Sequence, residues 1–585
     1  MAETGEPLLG DARPGRSMTT AAPEGIGPRD IVALMGLGLV AVGIPLWLSA
    51  AAGAIGSPSG DDWVYMRGAS SLFATGSIAM PGHNAAAFGQ LVLVQPLLWL
   101  AGGHSWAFTA FGLIMGIIGT AATYLLARRF VSVGSAVLVV LLVAAFPGFA
   151  RETATFVTDV PAYALGTLCL LLGVRWLHGD GGRLTLIASL GVGLLAVSIR
   201  EFAVAAPATI VVAGWVRSRA EERFLLAAVS GIFAAGFLAI VLVADAIPGR
   251  SLAGAGGLSL PILLGPAFVT LAAAFLPASI MSIGRRMATL SPVHVLAGVG
   301  FAAITMVAVP DGPFLWGYLV VASGTAPDAV LSGVRDAVIP ARAWVVSQQL
   351  ALFAAILAAA LVLRFVQRHL TRVRSLPGAR AALARIARSR GGPLVIFLLV
   401  YAGGLAVFGT MNAIYDRYLY PMIPVAAILL LSGMPEPPRS GRSEAFAHAA
   451  VAWLGVLAFI IAANSSAYDA ARYRAGEAAV ALGYPPGLVD AGYEWVGYHA
   501  SGSEVAAAHD YGLMWYDDNW PSFRPCAVLS NSPLDVSTLT LIRVDRSAYL
   551  NYLFFGPPEP LYLYGSTADG CPRLPAAAAA GSTGS

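Results

Sequence analysis

Residues 31–76 read IVALMGLGLVAVGIPLWLSAAAGAIGSPSGDDWVYMRGASSLFATG, and they set the fold class of everything that follows. The first part, Ile31–Ile55, carries no charge. A helix needs roughly 20 apolar residues to cross the hydrocarbon core of a bilayer, and this run is long enough. It is too long for a signal-peptide core, although cleavage near the small residues Ala50–Gly53 is the alternative. The second part places Asp61 and Asp62 side by side where such a helix leaves the membrane. Ionised side chains are costly at that depth and mark functional positions.

Composition agrees with a membrane assignment. The chain has 585 residues, 57% hydrophobic and 11% charged, where a soluble domain carries about 25% charged residues. All basic side chains other than histidine are arginine, and the net charge of +3 gives no reason to expect nucleic acid. The first 29 residues, rich in Gly, Pro, Ala and charge, are expected to be disordered.

The same length rule marks thirteen apolar cores: Ile31–Ile55, Trp106–Ala127, Gly134–Ala150, Val157–Leu177, Leu184–Ser198, Phe202–Val216, Phe224–Ala244, Leu258–Met281, Val293–Val309, Trp344–Leu363, Leu394–Phe408, Tyr418–Met434 and Ala447–Ala463. With the N-terminus in the cytoplasm, the arginine-rich connections fall on one side, as the positive-inside rule requires. These are Arg128/Arg129, Arg175/Arg183, Arg217–Arg223, Arg285/Arg286, the loop Arg364–Arg390 and Arg439/Arg442. The opposite side receives Asp61/Asp62, Arg151–Asp159, Arg200/Glu201, Asp245, the loop Pro310–Ala343, Asp416/Arg417 and the tail after Ala463. Ala85–Gly103 is apolar but interrupted by Gln90, Gln95 and Pro96, and reads as an interfacial or re-entrant helix on that outer side, with a spanning helix as the alternative.

The expected organisation is therefore a mainly α, polytopic transmembrane helical bundle of about 13 helices, N-terminus in and C-terminus out. Residues 1–29 form a disordered cytoplasmic end, 30–465 the membrane domain, 466–573 a small extracytoplasmic α/β domain, and 574–585 a disordered tail. Ser537–Val544 alternates like a strand. Cys526 and Cys571 fall in the outer domain, where a disulfide is permitted, while Cys169 sits in an apolar run.

The outer-face polar groups are the candidate site. A carboxylate within hydrogen-bond reach of a hydroxyl serves as a general base, and Asp61 and Asp62 each offer one. Either equally suits a helix N-terminus. Asp159 precedes Val160-Pro161, a helix start, and with Glu152 adds acid to the same face. A divalent metal or a sugar hydroxyl would bridge such carboxylates, though no spacing demands a metal. Arg200-Glu201 is either a compensated pair or a phosphate site, since arginine binds phosphate oxygens in bidentate fashion. Arg417, beside Asp416, Tyr415 and Tyr418, is a phosphate ligand or an interfacial anchor. Arg67 is a third basic candidate or a plain loop charge. Glu494 in DAGYEWVGY belongs either to a sugar-binding surface or to the aromatic core of the tail domain. The chain has no Gly-rich phosphate loop, no His-Glu-x-x-His and no Cys-x-x-Cys, which removes support for ATP-driven transport and zincin-type proteolysis.

DDWVYMR after the first helix, ETATFVTDVPAY, SIREF and YDRYLYP, in that order, resemble the GT-C superfamily of integral-membrane glycosyltransferases over residues 30–465. The resemblance lies in the branch of protein O-mannosyltransferases and the lipid A aminoarabinose transferase. It implies a polyprenyl-phosphate-linked sugar donor, an extracytoplasmic acceptor (protein, lipid or polysaccharide), inverting transfer and a bacterial inner-membrane location with the site facing outward. It also implies that Asp61 is the base, with Asp62 standing where relatives usually carry Glu. Asp159 matches the second acidic position, and Arg200 and Arg417 match groups that meet the lipid phosphate. The alternatives are a lipid-linked sugar flippase or secondary transporter, which would place charges at mid-membrane and often repeat its halves, and a non-catalytic scaffold.

Overall fold

The computed structural model describes residues 26–80, 85–217, 223–247, 260–283, 290–308, 331–335, 339–370, 385–410, 414–432, 441–499, 523–550 and 556–572. Most of both expected disordered ends, most of the loop 310–343, part of the arginine-rich loop 364–390, and Asn412 lie outside the described residues.

Over its described residues, each of the thirteen apolar cores is mostly helical. Among the described residues, seven helices are long and apolar enough to cross a membrane: Pro28–Ala52, Trp106–Arg128, Asp159–Leu177, Arg223–Ala246, Ala341–Arg364, Gly392–Gly409 and Ala445–Ala481. The others are shorter, including Val133–Ala144, Arg183–Val197 and Met422–Ser432. Arg223–Ala246 exposes Phe224, Ile232, Leu238 and Leu242 and buries Leu226 and Ala244. Such an exposed apolar face suits contact with lipid.

Three expectations are corrected, each for a backbone reason. The core Leu258–Met281 is two helices, Leu260–Ala274 and Leu276–Ile283, with Pro277 at the start of the second, where its missing N–H is harmless. Ala85–Gly103 likewise divides into Phe88–Leu93 and Gln95–Leu100 around Pro96. The last helix does not stop near Ala463 but runs unbroken as Gly441–Ala481. Residues 464–481 are polar yet Ala-rich, so helix propensity carries it on after the apolar pattern ends.

Beyond it lies a four-stranded sheet of β1 (Val489–Asp490), β2 (Ala527–Ser530), β3 (Leu539–Leu550) and β4 (Pro558–Ser566), in the order β1-β2-β4-β3. β1 and β2 are parallel, and both other pairings are antiparallel. β3 takes in Leu539–Val544 of the stretch expected at 537–544 and extends it to Leu550. Cys526, just before β2, is disulfide-bonded to Cys571, just after β4. The short helix Tyr493–His499 connects this domain to the membrane part, where Trp63 lies so close to Gly497 that a Cβ there would come within 2.4 Å of its ring.

Close helix contacts place the polar segment 151–159. Gly112 of Trp106–Arg128 lies under the Thr153 and Thr155 carbonyls, where a Cβ would meet oxygen at 2.4 Å. The Phe156 peptide is then held from both sides. Gln90 Nε2 donates to its carbonyl at 2.6 Å, and its N–H donates to Asp62 at 3.3 Å. Gln90, an interruption in the sequence pattern, is thus a buried anchor.

Candidate active site

Four stretches distant in sequence bring their charges to one place. Asp61 ends the loop Ser57–Gly60 and takes the N-cap position of the helix Asp62–Thr75, yet its side chain caps nothing. Arg417 lies on a 3₁₀ turn, Asp416–Leu419, and donates through Nη2 to Asp61 Oδ2 at 3.1 Å. Its Nε faces Asp159 Oδ2 at 3.4 Å, and Arg200 Nη2 faces Asp159 Oδ1 at 3.3 Å. Asp159 is the first residue of its helix, after the N-cap Thr158. A row results: Asp61, Arg417, Asp159, Arg200.

Burial sorts the row. The Asp61 side chain is 35% exposed, whereas Arg417, Asp159 and Arg200 are 4–5% exposed. Aromatic rings complete the arginines' surroundings. Arg200 lies 4.9 Å from the Tyr418 ring centre and 5.2 Å from Phe202, and Arg417 lies 4.9 Å from Tyr415. Each such contact is worth about 0.5–2 kcal/mol. Burial works against the Arg417 charge, but Asp159, Tyr418 and Asp61 outweigh it and hold the guanidinium firmly protonated. A small cavity of about 20 Å³ reaches Asp159 and Arg417 and is otherwise lined by Phe202, Tyr401 and helix faces.

The other candidates are placed differently. Asp62 is 1% exposed and accepts the N–H groups of Ser59 and Phe156. Burial pushes its carboxyl well above the usual carboxylate range despite those amides. Glu152 is buried behind the row; burial and the Asp159 charge push it up to about 8, against the pull of Arg417. Burial also lifts Asp416 to about 7. Glu201 opens a 3₁₀ turn next to Arg200 and is half-buried. Tyr418 is buried, and its carbonyl accepts the Tyr401 hydroxyl at 2.8 Å. Arg67 points away toward the tail domain and donates to the Gly497 carbonyl at 3.0 Å. Glu494 is not on any surface: it is 2% exposed, with one oxygen on the Gly60 N–H at 2.8 Å and the other on Arg472 at 2.7 Å.

Glu494 belongs to a second buried network that the sequence reading missed. Arg472 also meets Asp469 at 2.6 Å, and Asp469 in turn accepts Ser59 Oγ at 2.6 Å and Arg151 Nη2 at 2.7 Å. Asp469 and Arg472 stand three residues apart on the extension of the last helix. The signal for them was helical charge spacing continuing beyond Ala463.

Among the described residues no group of three acidic, His or Cys side chains is arranged to hold a metal. The Asp61 and Asp159 carboxylates face arginine, so the row does not fit a divalent cation and no step is assigned to one.

No family model matches this chain, and no curated protein matches it. Among solved structures it is similar to ArnT from Cupriavidus metallidurans bound to undecaprenyl phosphate. That match has 14% identity and a TM-score of 0.40, and covers 93% of this chain and 99% of the other. It is also similar to the oligosaccharyltransferase of Archaeoglobus fulgidus in the apo form, with 15% identity and a TM-score of 0.39, over 76% of this chain and 57% of the other.

Proposed function

We propose that this chain is a GT-C-type membrane glycosyltransferase that moves a sugar from a polyprenyl-phosphate donor to a hydroxyl outside the cytoplasm, with inversion. The observation that carries this reading is the row itself. A partly exposed carboxylate, Asp61, stands 3.1 Å from Arg417, and two buried arginines flank one buried aspartate. A base lies at one end and fixed positive charge along the rest.

In the proposed reaction the acceptor oxygen attacks the anomeric carbon and its proton passes to Asp61. The carbon–oxygen bond to phosphate breaks, and the electron pair leaves with the lipid phosphate. The developing phosphate charge falls to Arg417 and Arg200. Their orientation is set in advance by Asp159, so little reorganisation is needed in the transition state. Asp61 is favoured over Asp62 as the base because Asp62 is enclosed and its oxygens accept backbone amides.

The lipid tail has a matching surface. A groove of about 350 Å³ runs from Asp416, next to Arg417, between the helices Leu260–Ala274, Ala341–Leu370 and Gly441–Ala481. Its wall is almost wholly apolar, with Phe146, Trp344, Phe353, Trp453 and Leu457 among its residues. An isoprenoid chain in this groove would bring its phosphate toward Arg417. The Cys526–Cys571 disulfide supports an oxidising, extracytoplasmic setting for the tail domain.

The test is transfer from a defined polyprenyl-phosphate sugar by the purified full-length protein, with Arg200→Ala and Arg417→Ala alongside. Transfer by the wild type, with donor KM raised in both variants, supports the reading. Movement of the lipid-linked sugar across a vesicle bilayer without transfer would replace it with transport.

A further inference from the structure

We propose that Glu494, Asp469 and Arg472 are positioning residues that hold the Ser59–Gly60 turn and so aim Asp61. The C-terminal domain is then a working part of the site. This rests on the reading of Asp61 as the base and says how that base is held.

The turn is gripped at two consecutive residues from two different elements. Ser59 Oγ donates to Asp469 Oδ2 at 2.6 Å, and the Gly60 N–H donates to Glu494 Oε1 at 2.8 Å. Arg472 joins the two carboxylates, with Nη2 on Asp469 Oδ1 at 2.6 Å and Nη1 on Glu494 Oε2 at 2.7 Å. Arg151 supplies the second positive charge, at 2.7 Å from Asp469. Two cations and two anions therefore balance in a pocket where Arg472 is 0% exposed. Buried charges survive only when paired in this way.

Backbone geometry makes the grip consequential. Gly60 has φ +61°, the left-handed region that glycine adopts without strain, so the chain turns sharply just before Asp61. Rotation of that peptide would swing the Asp61 carboxylate. The ion pairs of Arg151, Asp469, Arg472 and Glu494 run among themselves. Loss of the brace should therefore misplace the base while sparing the phosphate side. Glu494 comes from the tail domain and Asp469 from the helix leading into it, so the tail reaches the reacting centre through the turn.

The experiment uses the full-length protein with Glu494→Ala, Glu494→Gln and the milder Ser59→Ala. Two readouts are taken: steady-state transfer, and amide hydrogen exchange over residues 57–62. Glu494→Ala should lower kcat about 10- to 100-fold, the scale of a misplaced catalytic group, with donor KM changed by less than about twofold. Glu494→Gln retains an oxygen for the Gly60 N–H but leaves Arg472 without that carboxylate, and should recover the rate only in part. Exchange over 57–62 should rise in Glu494→Ala and Ser59→Ala and stay unchanged in Asp61→Asn. Wild-type kcat and exchange in Glu494→Ala would overturn the proposal, as would a loss confined to donor KM. A wild-type protein that transfers no sugar would refute the transferase reading alone, and the exchange readout would still decide the brace.

Discussion

Asp61→Asn separates the two ends of the charged row. The substitution keeps size and shape but removes the base, and general-base loss lowers transfer by about 100-fold or more. It also releases Arg417, whose Nη2 lies 3.1 Å from Asp61 Oδ2. Coulomb's law at the dielectric constant of water gives about 1.3 kcal/mol at that separation. Arg417 is buried but the Asp61 side chain is 35% exposed, and water reaching Asp61 keeps the pair at about 1 kcal/mol, the upper end for exposed pairs. An incoming lipid phosphate competes for the same guanidinium in the wild type. Asp61→Asn should therefore bind polyprenyl phosphate as tightly as the wild type, or up to about fivefold tighter, while failing to transfer sugar. Lipid-phosphate binding by titration calorimetry in detergent and single-turnover transfer on the same preparation measure both effects. A variant that transfers at the wild-type rate, or one that loses lipid-phosphate binding, would refute the assignment of base and phosphate ends.

Glu152 rests at about 8 in the folded protein against an ordinary value of 4.5, so the folded state holds the extra proton between those limits and stability falls as pH rises through that window. Glu152→Gln should flatten that fall and raise Tm at pH 8 relative to the wild type, with little change at pH 5; an unaltered pH slope would count against it. Serine at both Cys526 and Cys571 opens a loop with a sequence separation of 45 residues and should destabilise the tail domain by up to about 4 kcal/mol, read from its unfolding under non-reducing conditions. Arg183→Cys and Ser547→Cys, both at exposed positions, should label from opposite membrane faces with an impermeant thiol reagent, and labelling of both from one face would refute the expected topology.

The helices were legible because bilayer crossing is a property of local composition, and Ile31–Ile55 or Phe224–Ala244 needs no partner to be recognised. The gathering of Asp61, Asp159, Arg200 and Arg417 was legible only through topology, which placed them on one face without distances. The difference between Asp61 and Asp62 was not legible. Adjacent residues of one type differ only in where the turn points them, and that direction is set by Glu494, Asp469 and Phe156 from far along the chain. Asp469 and Arg472 were hidden for a related reason. The hydrophobic pattern ends near Ala463, while the helix does not, and their partners lie hundreds of residues upstream. Glu494 drew attention for its aromatic neighbours, yet its role comes from the backbone amide it holds.

The helix Gly441–Ala481 has 41 residues, which at 1.5 Å per residue is a rod of about 60 Å. The hydrocarbon core takes up about half of that length. One continuous helix therefore has its apolar end suited to lipid and carries Asp469 against the Ser59–Gly60 turn at the other. A membrane helix meets a thicker or thinner bilayer by changing its tilt. In this protein such a tilt would move Asp469, and with it the turn and Asp61. On the proposed mechanism, the acyl-chain length of the surrounding lipid becomes a variable of the reaction, felt at the carboxylate as a change in its height above the phosphate plane.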